Sequence, residues 1–294
     1  MATAPQELAE QHYDAPVALF EAFLDRETMS YTMAYYGRSP EEVSVSTRSL
    51  GEAQLAKFRL IADRMGLGGD ENLINLGCGF GYFESYLLHR FPHLRVTSTT
   101  HSRVQEKFLR DRMKDCDDIL SSPRFRLFFG EINDRSAQAW GEGEYDVVCS
   151  VGVLEQIKNV EAFFHLVAEL LKPEGVTFHH LIVSRDLIRR LQEPQQTLIG
   201  HYFPGGRVRP FYALQNAFGP FRLEDSWFIN GMNYWRTLDA WHAGFWRNLG
   251  AVYPAFIDQD GVKYWNDFFV LCKAMFRPES GAAYGNGQYR FVKA

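Results

Sequence analysis

Residues 72–81 read Asn-Leu-Ile-Asn-Leu-Gly-Cys-Gly-Phe-Gly, an apolar strand running into glycines at alternate positions, Gly77, Gly79 and Gly81, followed by a helical pattern. Glycine has no Cβ and tolerates positive φ, so such a turn lets a ligand lie against bare backbone where a side chain would clash. The spacing is GxGxG. It departs from the GxGxxG of dinucleotide folds, whose third glycine packs helix to strand beside a pyrophosphate. A shorter glycine turn after a first strand suits a nucleoside without phosphates, and S-adenosylmethionine is the commonest such cofactor. The plain alternative is a strand-to-helix turn that holds nothing.

The chain on either side extends that unit into an alternation. Helical spacing is expected over 16–24 (Val17, Phe20, Phe23, Leu24) and 51–65 (Ala53, Leu55, Ala56, Leu60, Ile61), with a glycine-rich break at 66–70. After the turn, helix 82–90, strand 94–99, helix 104–113, strand 125–129, strand 145–151, helix 160–171 and strand 176–183 follow. Such alternation predicts an α/β fold: a mostly parallel sheet, covered on both faces by helices. Ligands of such sheets sit at the carboxyl ends of the strands. The glycine turn, Thr99-Thr100-His101-Ser102, Gly130-Glu131 and Gly152 to Gln156 all fall there.

From Arg185 to Trp246 the rhythm stops, and aromatics with glycines take over. This stretch reads as an insertion that roofs the site. A helix over 264–276 and a strand over 288–292 close the chain. The expected organisation is a single domain. Residues 1–69 form a helical lid contributing to the cofactor site, 70–184 a Rossmann-like cofactor-binding core, 185–250 a substrate-cavity insertion, and 251–294 a helix and strand completing the core.

The formal net charge of −5 supplies no basic field to gather phosphates, which argues against nucleic acid as a partner. No run of about 18 apolar residues suits a membrane span, and the N-terminal residues lack the pattern of a signal peptide, so a cytoplasmic location is expected. Cys78, Cys116, Cys149 and Cys272 are scattered without zinc-ligand spacing, so no metal is expected. The 24 Phe, 14 Tyr and 6 Trp suit either a deep apolar cavity or simply a well-filled core.

The chain carries, in order, His12-Tyr13-Asp14, Ser30 to Tyr35, Gly51-Glu52-Ala53-Gln54, Leu76 to Gly81, Thr99-Thr100-His101-Ser102 with Gln105, Val151 to Gln156, His180-Leu181-Ile182, Phe203-Pro204-Gly205-Gly206 and Cys272 to Arg277. Together these segments resemble the cyclopropane fatty acid synthases, including the mycolic acid cyclopropane synthases, and the plant coclaurine-type N-methyltransferases. The similarity runs over about residues 8–294. It implies a class I methyltransferase-type Rossmann-like sheet, with an N-terminal helical segment and an aromatic-rich insertion covering the site. It also implies S-adenosylmethionine as cofactor, held by Tyr31, Gly77, Gly79, Thr100 and Gln105, with Gly130 and Glu131 near the adenine. Where the family usually has Asp or Glu before the glycine turn, this chain has Asn75, whose amide can still accept a hydrogen bond.

The resemblance makes Glu155 and His180 the catalytic candidates and places Met33, Tyr264 and Phe268 at the substrate cavity; His201 borders it or belongs to a surface loop. His179, on the opposite strand face, should be structural. In the family a bound bicarbonate is thought to be held by a Cys, a Glu, a His, a Tyr and a backbone group. The matching positions here are Met33, Glu155, His180, Phe268 and Ile182. Met33 and Phe268 offer no hydrogen-bond donor, which argues against bicarbonate, although Tyr264 lies one turn before Phe268 and could substitute. The Glu-His pair of the N-methyltransferases is also incomplete, reading Glu155-Gln156. The expected activity is methyl transfer to N or C of a small hydrophobic acceptor. Cyclopropane synthesis on an unsaturated acyl chain, with peripheral membrane contact if the substrate is a lipid, is the alternative; a non-catalytic lipid- or protein-binding module is the third. Oligomeric state is not legible.

Overall fold

The computed structural model describes residues 15–133, 136–186, 206–216 and 218–293. These divide into two compact units, both discontinuous in sequence: one built on residues up to 57, 182–210 and 228–286, the other on 58–181, 211–227 and the residues from 287 onward.

Most of the sheet lies in the second unit. Its parallel strands are β1 (Asn72–Leu76), β2 (Arg95–Thr100), β3 (Phe125–Phe129), β4 (Tyr145–Val151) and β5 (Leu171–Ser184), and the spatial order is β3-β2-β1-β4-β5, followed by β8 (Tyr284–Lys293) and β7 (Phe221–Asn230), with β6 (Arg209–Pro210) pairing with β5. β1 lies between β2 and β4 and is buried from Leu73 to Leu76, which is why its sequence after Asn72 is an apolar run broken only by Asn75. The mostly parallel α/β sheet expected from the sequence is therefore present. The register sets Leu76 beside Thr99 and Ser150, Thr100 beside Phe129, and Val151 beside His180, so the loops that follow these strands leave the sheet at one edge.

Helices α4 (Tyr82–Arg90) and α5 (Arg103–Lys114) cover one face together with residues 58–65 of α3 (Leu50–Met65). Phe83, Leu87, Leu88 and Leu109 from these helices pack with Leu73, Val96, Val147, Cys149 and Phe178 from the strands. Ser102 caps α5 by accepting from the Gln105 amide at 3.2 Å, and Asn159 caps α7 (Val160–Leu170) by accepting from Ala162 at 3.1 Å. On α3 the box is reciprocal: Ser49 N donates to Glu52 Oε2 at 2.8 Å while Glu52 N donates to Ser49 Oγ at 3.3 Å.

The first unit contains α1 (Val17–Phe23), α2 (Pro40–Val45), the start of α3, α8 (Met232–Arg247) and α9 (Gln259–Phe276). Part of the stretch expected as an insertion, residues 185–250, has regular structure. Residues 221–230 form β7 and 232–247 form α8, whose Leu238, Trp241 and Phe245 are buried at helical spacing. Reading that stretch by its aromatic content hid its period. The helix expected over 264–276 begins at Gln259, capped by Asp258, and the last strand begins at Tyr284.

Candidate active site

The glycine turn hangs from the end of β2. Gly77 N and Cys78 N both donate to Thr99 O, at 3.1 and 3.0 Å, and Gly77 N also reaches Thr99 Oγ1 at 3.2 Å. Gly77 (φ +83°) and Gly79 (φ +59°) are left-handed, where L side chains are strained. A Cβ on Gly77 would stand 2.5 Å from Val153 Cγ2, so packing alone excludes a side chain there. Gly79 differs. Its absent Cβ faces open space, with no atom of the described residues within 4 Å, which is what a ligand laid against bare backbone requires.

Asn75, the last polar residue before the turn, is buried and directed into the core. Its Nδ2 donates to Glu84 Oε1 at 2.6 Å, and its Oδ1 accepts from Cys149 Sγ at 3.5 Å. Ser98 Oγ also donates to Glu84 Oε1 at 3.0 Å, whereas Glu84 Oε2 has no hydrogen-bond partner among the described residues. Burial raises the Glu84 carboxyl above its ordinary range, against the opposing hydrogen bonds from Asn75 and Ser98. Glu84 went unnoticed in the sequence, although its spacing to Leu87 and Leu88 places it on the buried face of α4.

Beside the turn, Thr100 Oγ1 donates to Gln105 Oε1 at 2.8 Å and accepts from Ser102 N at 3.2 Å. This holds Gln105, in the first turn of α5, against the end of β2 with its amide nitrogen still a donor. Gly130 N donates to Thr100 O at 3.0 Å, and exposed Glu131 follows at the end of β3. These candidates share one sheet edge.

Glu155 and His180 belong to the same unit. Glu155 lies in the turn after β4, four positions past Val151, and is 3% exposed; α7 begins only at Val160, so Glu155 is not a solvated helix start. His180 is fully buried, with Nδ1 2.9 Å from Gln288 Nε2, and its carbonyl accepts from Gly152 N at 2.8 Å. The neighbouring His179 points to the other face. It is held by Ser150 Oγ at Nδ1 and Thr177 Oγ1 at Nε2, both 2.8 Å, and packs on Phe163 and Phe164; burial pushes it down to about 3.

Four candidates lie in the first unit. Tyr31 packs edge-on to Phe20 and beside Phe23 and Trp241, with centroids 5.2–5.8 Å apart. Met33 is fully buried. Phe268 is buried against Trp265 and Phe269, and Tyr264, one turn earlier on α9, packs on Trp265. His201 lies outside the described residues.

The segment carrying Tyr31 is clamped in a way the sequence reading missed. Gln54 Nε2 donates to the carbonyls of Ser30 (3.2 Å) and Thr32 (2.9 Å), while Lys57 Nζ donates to their hydroxyls at 2.5 and 2.7 Å. Lys57 is fully buried, which holds its ammonium well below the ordinary lysine range. Its spacing to Ala53 and Ile61 was the available signal.

Among the described residues, a mostly parallel α/β sheet with a glycine turn directly after β1 defines a Rossmann-like fold. The chain belongs to the mycolic acid cyclopropane synthetase family, whose model matches residues 2–284. The cyclopropane-fatty-acyl-phospholipid synthase of Escherichia coli (strain K12) is 26% identical over 240 residues, covering 81% of this chain; the chain thus spans only 56% of that protein. Cyclopropane mycolic acid synthase 1 of Mycobacterium tuberculosis (strain ATCC 25618 / H37Rv) is 26% identical over 283 residues, 90% of this chain and 91% of that one. In fold the chain is similar to coclaurine N-methyltransferase bound to N-methylheliamine and SAH. The TM-score is 0.83 at 18% identity, over 98% of this chain and 82% of that one. No helix among the described residues is long and apolar enough to cross a membrane.

Proposed function

We propose that this chain binds S-adenosylmethionine and transfers its methyl group to nitrogen or carbon of a small hydrophobic acceptor. The observation that carries this reading is Gly79: left-handed, one residue beyond a pinned turn, with open space where a Cβ would stand, in a member of this family. Gly77, Gly79, Thr100, Gln105, Gly130 and Glu131 are the residues proposed to hold the cofactor. Asn75 acts indirectly, through Glu84, because its amide is already engaged there.

When bound, the cofactor supplies an electrophilic methyl on a sulfonium. The chain's part is to align the acceptor with that methyl, exclude water and manage one proton. Glu155, carboxylate-bearing and almost wholly buried, is proposed as base or electrostatic partner for the acceptor. His180 is proposed as its polar companion. Tyr31 keeps the cofactor role implied by the resemblance, its ring face suited to a cation. Met33, Tyr264, Phe268 and His201 keep their proposed places at the acceptor cavity. A cytoplasmic location is part of the same proposal.

Incubation with methyl-trideuterated S-adenosylmethionine and a cell extract, followed by mass spectrometry, tests this. A product that keeps all three deuterium atoms is expected.

Cyclopropane synthesis is the second reading, supported by the names of the bacterial relatives. A product that keeps only two of the three deuterium atoms, formed on an unsaturated acyl lipid, would select it and bring with it peripheral contact with a membrane. Against it, Met33 and Phe268 supply no donors for bicarbonate; both are buried, and Phe268 sits among rings. Absence of S-adenosylhomocysteine formation with any extract would favour a non-catalytic lipid- or protein-binding role.

A further inference from the structure

Three side chains of the sheet unit form a line: Arg64 on α3, Gln288 on β8 and His180 on β5. Arg64 Nη1 donates to Gln288 Oε1 at 2.6 Å, and Gln288 Nε2 stands 2.9 Å from His180 Nδ1. Gln288 and His180 are both fully buried.

The chemistry of these groups leaves little freedom. A guanidinium has donors only, so the atom of Gln288 facing Arg64 must be the carbonyl oxygen. The amide nitrogen, which also only donates, therefore faces His180. A donor facing Nδ1 needs a lone pair there, so Nδ1 carries no proton and the neutral ring carries its hydrogen on Nε2. A proton on Nδ1 would set two donors against each other at 2.9 Å in a site without exposure, leaving both unsatisfied. Rotating the Gln288 amide does not relieve this, because it would then present its nitrogen to Arg64.

We infer that Gln288, itself fixed by Arg64, is a positioning residue that locks His180 in the Nε2–H tautomer. His180 then serves the site as a hydrogen-bond donor through Nε2, and is not the group that removes a proton from the acceptor. That task falls to Glu155. The inference rests on the functional reading only where it assigns His180 to the reaction; the tautomer itself follows from the three contacts.

Nitrogen-15 NMR of protein labelled at histidine, without cofactor or acceptor, tests it, with the His180 signals assigned by their loss in H180Q. The wild-type spectrum is expected to show His180 bare at Nδ1 and protonated at Nε2. In Q288E the new carboxylate can still pair with Arg64 and accepts from Nδ1–H, so the neutral His180 ring is expected to move its hydrogen from Nε2 to Nδ1. In the proposed methyl-transfer assay, Q288E is then expected to lose roughly a hundredfold in turnover, as for loss of one aligned donor, with S-adenosylhomocysteine affinity unchanged. A wild-type Nδ1–H signal from His180, or an unaltered spectrum in folded Q288E, overturns the inference. If Q288E does not fold, the wild-type spectrum alone decides. The predicted spectrum in a protein that never forms S-adenosylhomocysteine would sink the functional reading and leave the tautomer standing.

Discussion

The side-chain amide of Asn75 donates to Glu84 Oε1 at 2.6 Å, joining the end of β1 to the first turn of the helix that follows the glycine turn. The strand thus supplies the amide of this buried pair and the helix its carboxyl group. Ser98 donates to the same oxygen of Glu84 and ties the end of β2 into the arrangement.

Exchange of the two side chains should therefore be tolerated better than either single change. N75D alone sets two buried carboxyl groups in contact and should cost about 2–4 kcal/mol in urea unfolding. N75D/E84Q restores a donor opposite an acceptor and should recover most of that loss. Additive effects of the two substitutions would show that the contact carries no coupling.

Two buried groups of this unit should tilt the pH dependence of stability in opposite directions. His179 is pushed down to about 3, so in the range between that value and the ordinary 6.5 the unfolded chain binds the extra proton. Its contribution is present above pH 6.5 and is lost as pH falls toward about 3. Glu84 is raised above 4.5, so its contribution is full below that value and is lost as pH rises through its folded pKa. Chemical unfolding across pH should show a shallower acid slope in H179Q. In E84Q, which abolishes the titration, the decline toward neutral pH should disappear; persistence of that decline would assign it to another group.

The two glycines of the turn should separate folding from binding. G77A drives a Cβ to 2.5 Å from Val153 at positive φ and should lose about 1–3 kcal/mol of stability. G79A meets no atom within 4 Å and should lose only about 1–2 kcal/mol from its backbone conformation. Its methyl group would enter the space assigned to the cofactor, so affinity for S-adenosylhomocysteine should fall about tenfold or more. Thermal shift with and without ligand measures both. Unchanged affinity in G79A would move the cofactor away from that space.

The core from β1 to β5 was legible because both signals there are local: continuous apolar runs for buried parallel strands, and a 3.6-residue period for their helices. β7 and α8 were hidden by aromatic residues read for their type and not their spacing. The buried polar residues were harder. Lys57 meets Ser30 from 27 residues away, and Gln288 meets His180 across 108. Sequence period can place such a side chain on a buried face, but its partner is set by which distant segments the tertiary fold brings beside it. The glycine turn was plain from the start, whereas the inward direction of Asn75 depended on Glu84 nine residues later.

Glu155 should matter for turnover and little for cofactor uptake. E155Q keeps the shape of this buried side chain and removes its charge, so kcat should fall by about 10²–10⁴ while cofactor affinity stays near wild type. Steady-state kinetics alongside equilibrium binding separate these effects. An equal loss in both would place Glu155 in folding or cofactor binding.

Calorimetric titration of S-adenosylhomocysteine into the purified protein addresses the nucleoside site most directly. Saturable uptake of one ligand per chain, sharply weakened in G79A, is the predicted result. Absence of binding by folded wild-type protein would contradict the assignment of this glycine turn to a sulfonium cofactor and its product.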